Sequence, residues 1–381
     1  MIDRRAPAAL AILLVASLVG GCARPASDSP AKPPASASAP ASGSGAAAAG
    51  SAAAPGSATG PAAASAAPAT AMPSRPKESL TFAIPQRNLN YIVPMAAAAL
   101  GFFDEAGLDV KVEALAPNLT LAAMQRGDLK ITGSGGSAIR TAVRGDASFR
   151  LVSFMTVQAT YFVITVPEIR TPQQLVGKRI GVGAVADTPH LFTERWLRDR
   201  GMDPSQILFL AMGANPAVHV AAMQAGALDG AVLDPASTAV AEAQGFHLLQ
   251  ALGEVAPAPQ QGVVTTTEYL QSNPESVRAF LKGLVRGLRY GKQNPREMAA
   301  IARQELGLEM DEAVSQRAVQ LYLDGVSAQA PGYADEKLLE GFYQYDVRLP
   351  LELPPEQPIP ALHDFRLLLE VYDELGIPRP R

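Results

Sequence analysis

The sequence predicts an α/β chain of two lobes, each a mainly parallel sheet flanked by helices, and three observations predict it. Short β-type runs alternate with single amphipathic helices, which implies βαβ crossovers. Two longer β runs, at 160–166 and 262–267, interrupt that alternation and divide it into two series. After the second interruption the pattern is helical to the end of the chain.

In the first series the strands fall at 80–84, 109–115, 129–132 and 150–154, with helices at 94–103, 119–125 and 137–143. The second series places strands at 178–183, 207–210, 230–233 and 247–249, with helices at 189–200, 216–225 and 236–244. The two long β runs are expected to be the paired crossings between lobes. Over 274–291, Val277, Phe280, Leu281, Leu284, Val285 and Leu288 form one apolar stripe, while Arg278, Lys282, Arg286 and Arg289 occupy the other faces. Leu362, Phe365, Leu368, Leu369, Tyr372 and Leu375 repeat that pattern. Both helices need a sheet to cover, so the whole C-terminal part is expected to return to the first lobe. The boundaries are 78–163 and 263–381 for the first lobe with its C-terminal helices, and 164–262 for the second.

The first residues have a different character. A charged start, Met1 to Arg5, precedes an apolar run from Ala8 to Val19 and the small residues Gly20-Gly21 before Cys22. The run is shorter than the ~20 residues a helix needs to cross a bilayer. Residues 1–21 therefore read as a signal peptide. Val19-Gly20-Gly21-Cys22 resembles the bacterial lipobox, which makes Cys22, the single cysteine of 381 residues, the expected lipidation site. From 22 to 77 the chain is almost entirely Ala, Ser, Pro and Gly, a composition with too little apolar surface to offset its ordering entropy. It reads as a disordered tether. The net charge of −4 and scattered basic residues exclude the basic stripe of a nucleic-acid partner. With four His and no CxxC or HxxxH spacing, a structural zinc site is not expected, and no cofactor is.

Several segments resemble a known family when read together. They are Gly101-Phe102-Phe103-Asp104-Glu105-Ala106-Gly107-Leu108-Asp109-Val110, then Gln125-Arg126-Gly127-Asp128 followed by Gly133-Ser134-Gly135-Gly136-Ser137, then 171–182, 223–232 and 273–281. In this order they are similar to the substrate-binding proteins of ABC importers for sulfonates, taurine, nitrate and thiamine precursors. The resemblance covers 80–291 and thins after about 295. It implies the type II periplasmic-binding fold, a small-molecule ligand in an interlobe cleft, an ABC permease as partner, an extracytoplasmic location, a monomer and no catalysis. An exported sensor, or an enzyme of pyrimidine or menaquinone-type metabolism, is the alternative on the same fold.

In open α/β sheets ligands sit beyond the carboxyl ends of the strands, against helix N-termini. That rule selects Gln86, Asn88 and Tyr91, then Ser134, Gly135, Gly136 and Ser137, then Thr156 and Gln158 in the first lobe. In the second lobe it selects Thr188, His190, Asn215 and Asp234, with Tyr161 at the start of the first crossing. Several of these have two readings. The Ser/Gly loop either lets the backbone approach a ligand or is a plain strand-to-helix turn. Asp234 accepts from an amine or heterocycle N–H, or caps the helix that begins at Pro235. His190 donates to a carboxylate or sulfonate, or sits passively on the rim. Arg87 is an anion clamp or an exposed loop arginine. Trp196, at helical spacing from Phe192, reads as core.

Overall fold

The computed structural model describes residues 77–380 except 146, 147, 214 and 256. The expected signal peptide, Cys22 and the expected tether as far as residue 76 lie outside the described residues.

Lobe one begins with β1 (Glu78–Ile84), α1 (Ile92–Ala99), α2 (Phe102–Glu105), β2 (Leu108–Ala114), α3 (Pro117–Arg126), β3 (Ile131–Thr132), α4 (Gly135–Val143) and β4 (Phe149–Thr156). The helix expected over 94–103 is two helices, because Gly101 takes a left-handed φ of +73° that ends one turn and starts the next. Lobe two contains β5 (Phe162–Thr165), β6 (Arg179–Val182), α5 (Thr188–Arg198), β7 (Leu208–Ala211), α6 (Pro216–Gln224), β8 (Gly230–Leu233), α7 (Pro235–Ala243) and β9 (His247–Ala251). The chain then returns through β10 (Gln260–Thr266) to α8 (Thr267–Ser272), α9 (Pro274–Gln293), α10 (Pro295–Leu306), α11 (Glu312–Asp324), α12 (Glu336–Phe342), a π-helical turn (Tyr343–Arg348) and α13 (Arg366–Glu374). Among the described residues no helix is long and apolar enough to cross a membrane.

The two sheets have the same plan. One runs β2-β1-β3-β10-β4 and the other β7-β6-β8-β5-β9. In each, the strand that follows a passage between lobes is antiparallel to its neighbours: β10 against β3 and β4, β5 against β8 and β9. The long β runs are therefore sheet strands rather than crossings, and the passages are the segments just before them. A strand inside the sheet has its backbone groups paired on both edges, which a strand spanning open space would not.

Helix α9 carries the core of lobe one. Its six stripe residues are fully buried, and Phe280 meets the rings of Phe82 and Phe103 at 5.0 and 5.1 Å. The C-terminal part does not all return to lobe one. Helix α11, with Ala318, Val319 and Tyr322 buried, packs on α7 of lobe two, where Arg317 makes a two-point ion pair with Glu242 at 2.7 and 3.0 Å. On the other side of lobe two, Tyr345 of the π-helical turn stacks on Phe192 of α5, with centroids 4.4 Å apart.

Gly283 tests the packing of α9. A Cβ there would sit 2.7 Å from Cε1 of the buried Phe103 and closer still to Cδ1. Gly283→Ala gains about 1 kcal/mol of helix propensity, but the overpacking should outweigh it, for a net loss of about 1–2 kcal/mol. Urea unfolding measures this, and an unchanged or raised midpoint contradicts it.

Candidate functional site

Two adjoining cavities open between the lobes at the carboxyl ends of the strands. The smaller, about 260 Å³, is lined by the 133–137 loop, Tyr91, Arg140, Thr188, Gln260, Gln261, Phe342 and Asp346. The larger, about 650 Å³, is lined by Arg87, Asp187, Pro189, Asn215, His219, Val232, Leu233 and Asp234. Gln86, Asn88, Asn90 and Tyr161 border both. A groove of about 600 Å³ between Arg126, Lys130 and Tyr269 lies at the opposite ends of the lobe-one strands, away from the position that sheet topology favours for a ligand.

The N-terminus of α4 forms one wall of the smaller cavity. No side chain caps it, so its first-turn N–H groups remain donors. Two glycines of the loop leave no room for a side chain. A Cβ on Gly135 would lie 2.7 Å from the backbone of Gly262 in β10, and one on Gly133 would lie 2.9 Å from the Tyr91 ring. Tyr91 Oη donates to the Gly133 carbonyl at 3.2 Å. Ser134 Oγ is buried without a hydrogen-bond partner. Gln261, opposite, holds a left-handed φ of +51°, strain of the kind that gathers at binding sites. Its Oε1 accepts from Thr156 Oγ1 at 3.2 Å.

Asp346 enters this cavity from the π-helical turn. Its Oδ2 accepts from Gln260 Nε2 at 3.0 Å, and the Thr188 hydroxyl of lobe two also bonds to it. Burial pushes its carboxyl up to about 6, against the pull of Arg140 and of these hydrogen bonds. Arg140 Nη1 donates to the backbone carbonyl of Asp346 at 2.6 Å and Nη2 to Ser137 Oγ at 3.2 Å. Burial raises the Tyr91 and Tyr161 phenols too, and the charge of Asp346 adds to both.

The wall contributed by lobe two is a row of helix N-termini. Asp187 accepts from Ala184 N at 2.7 Å and His190 N at 2.9 Å, Asn215 from Ala217 N at 3.1 Å, and Asp234 from Ser237 N at 2.8 Å. Asp234 is thus a helix cap that also lines the cavity, and burial raises its carboxyl while the Ser237 hydrogen bonds oppose the rise. His219 Nε2 lies 3.0 Å from the Gly213 carbonyl, and its Nδ1 is buried without a partner.

Of the residues selected from sequence, Gln86, Asn88, Tyr91, Ser134, Gly135, Gly136, Ser137, Tyr161, Thr188, Asn215 and Asp234 come together on this lining. Thr156, Gln158 and His190 do not. Thr156 is buried behind Gln261, Gln158 sits in the connecting segment against Gly253, and His190 is turned into lobe two. There the His190 Nδ1 accepts from Ala186 N at 3.1 Å and its ring meets Phe209 edge-on at 4.5 Å. The clamp reading of Arg87 fails because its guanidinium is held by Glu305, through the backbone carbonyl at 2.8 Å and Oε2 at 3.3 Å. Asp187 falls in the 184–190 turn that the strand-end rule selects, whereas Arg140 and His219 were missed, although each stands within about one helical turn of a selected residue. Asn90, Gln260, Gln261, Phe342 and Asp346 were also missed; the last two lie beyond 295, where local sequence carries no signal for them.

Asp346 makes the stability of the protein depend on pH. Its folded-state pKa of about 6 lies above the unfolded value of about 3.9. The folded state therefore binds the extra proton between those values, and the contribution is present below about pH 4 and lost as pH rises through 6. Wild-type stability should fall from pH 4.5 to 7.5 by on the order of 1–3 kcal/mol relative to Asp346→Asn. Urea unfolding at the two pH values checks this, and parallel curves for the two proteins contradict it.

Comparison with known proteins agrees with this architecture. The family model described as NMT1/THI5 like matches residues 88–298, more than half of the chain. No curated protein matches it in sequence. Among solved structures, a putative periplasmic sulfonate-binding protein of Methylobacillus flagellatus is 15% identical with a TM-score of 0.63, covering 79% of this chain and 96% of its own. The periplasmic nitrate-binding protein of Synechocystis is 12% identical with a TM-score of 0.58, covering 79% and 90%. A desulfurization enzyme is 14% identical with a TM-score of 0.57, covering 78% and 100%. The chain belongs to the NMT1/THI5-like family and has the two-lobed type II periplasmic-binding fold.

Proposed function

We propose that the protein is the extracytoplasmic solute-binding component of an ABC importer. The observation that carries this is the interlobe cleft, in which the uncapped N-terminus of α4 faces the capped N-termini of α5, α6 and α7. Such a cleft offers oriented N–H groups and a few polar side chains on mostly preformed walls, which is the character of a small-molecule site. The sulfonate-binding and nitrate-binding proteins that share the fold support the reading. A solute held by lobe one contacts Thr188 and Asp234 more fully as the lobes approach, so its binding favours the closed arrangement.

The desulfurization enzyme shows that the fold also hosts chemistry. Here Ser134 and His219 line different cavities, so hydroxyl and imidazole do not form a nucleophile–base pair. Binding without turnover is the reading we adopt. In this reading 1–21 is a signal peptide and Cys22, which the lipobox resemblance supports as the lipidation site, tethers the receptor to the outer side of a membrane beside its permease.

Two outcomes test this. Cys22→Ala should move the protein from the membrane pellet to the soluble fraction, and continued sedimentation with membranes removes the anchor. The low-molecular-mass fraction of yeast extract should raise the melting temperature by roughly 2–4 °C, as ligand bound to the folded state does. Gly136→Val, which places a side chain against Arg140, should abolish the rise. No shift in the wild type contradicts the solute-binding role.

A further inference from the structure

We infer that the solute is a cation bearing a protonated nitrogen, read by Asp346, and not a simple oxyanion. This rests on the solute-binding reading above and names the class of molecule bound.

The charged residues lining the two cavities are Arg87, Arg140, Asp187, Asp234 and Asp346. Both arginines are engaged by the protein, Arg140 through neutral acceptors. Arg87 is held by Glu305, and Arg140 by the Asp346 carbonyl and Ser137 Oγ. Two of the three aspartates have a structural use, since Asp187 and Asp234 each accept a backbone N–H as the cap of a helix. Asp346 does not. It stands inside a π-helical turn, and the groups that meet its carboxylate, Gln260 and Thr188, are uncharged donors. Asparagine would keep hydrogen bonds of that kind without the desolvation that a carboxylate suffers there. Among the described residues, Asp346 has no ion-pair partner within 4.0 Å.

The position of Asp346 decides between ligand classes. A Cβ on Gly136 would lie 3.5 Å from Asp346 Oδ1, so the carboxylate already lies beside the N-terminus of α4. An incoming oxyanion would meet that carboxylate beside the helix N-terminus, while Arg140, whose Nη1 would lie 3.1 Å from the same Cβ, is already bonded to the Asp346 carbonyl and Ser137 Oγ. A cationic nitrogen gains from Asp346 instead, and an acceptor atom on the same solute can use the α4 amides. Two further polar atoms lack partners. Ser134 Oγ, on a residue 4% exposed, lines the same cavity, and His219 Nδ1, on a residue 2% exposed, belongs to a side chain lining the larger one. With Nε2–H donated to the Gly213 carbonyl, Nδ1 is an acceptor, but it faces Gly181 inside lobe two, 3.5 Å from where a Cβ there would lie, and is not a group of the cavity wall. The smaller cavity suits an ammonium, amidinium or guanidinium group and the larger one the body of the molecule.

The test separates the low-molecular-mass fraction of yeast extract at pH 7.5 into cation-exchange-retained, anion-exchange-retained and unretained pools, each followed by thermal shift of the purified protein. The shift should reside in the cation-exchange-retained pool. Asp346→Asn, with its fold checked by circular dichroism, should need about tenfold more of that pool for the same shift, because a charge-assisted hydrogen bond becomes a neutral one. Stabilisation by the anionic or unretained pool overturns the cationic class and leaves the solute-binding reading standing. Equal response of Asp346→Asn and wild type to the cationic pool overturns the role of Asp346. No shift with any pool overturns the solute-binding reading and this inference with it.

Discussion

Gly135 lies against Gly262 with no side chain between them, and the site is organised around that approach. The first residue of α4 can reach the returning strand β10 only because both positions lack a Cβ. A substituent on Gly135 would lie 2.7 Å from β10 backbone, and one on Gly262 would lie 2.6 Å from Leu151. Neither neighbour can move freely, because β10 is hydrogen-bonded on both edges, between β3 and β4. Pressing the N-terminus of α4 onto β10 brings its amides beside Gln260 and Gln261, the first residues after the chain returns from lobe two. Backbone packing inside one lobe thereby sets where the other lobe meets it.

The C-terminal segment contributes more than a cover for lobe one. Arg317 ties α11 to α7 by a two-point ion pair, and Tyr345 stacks on Phe192 of α5. Two parts of one segment thus reach lobe two, apart from the two chain passages. Arg317 and Glu242 are partly exposed, so their pairing supplies orientation more than stability. The aromatic stack and the apolar face of α11 carry the greater share of the attachment. Relative movement of the lobes has to respect these contacts.

Asp346 follows from the same arrangement. The π-helical turn that offers Tyr345 to α5 also directs the next residue into the cleft, where Gln260 and Thr188 hold it. One short segment serves as interlobe contact and supplies an ionisable group to the cleft wall. The desolvation that lifts its carboxyl is the physical consequence of being placed between lobes.

Local periodicity by itself determined the alternation of strands and helices, the stripe of α9 and the Asp/Asn-Pro starts of α6 and α7, because each depends on residues adjacent in the chain. The turns after the strands were legible for the same reason, and Ser134 to Ser137, Thr188, Asn215 and Asp234 stand on the cleft. Tertiary structure alone decided what depends on distant partners. The runs at 160–166 and 262–267 became interior sheet strands because neighbours on both sides satisfy their backbone groups. His190 left the cleft because its ring found Phe209 and Ala186 N, and Arg87 was claimed by Glu305, more than two hundred residues away. Asp346 joined the cleft by the folding back of a segment whose own sequence shows only helical pattern, so nothing near it in the chain distinguishes it from a surface acid.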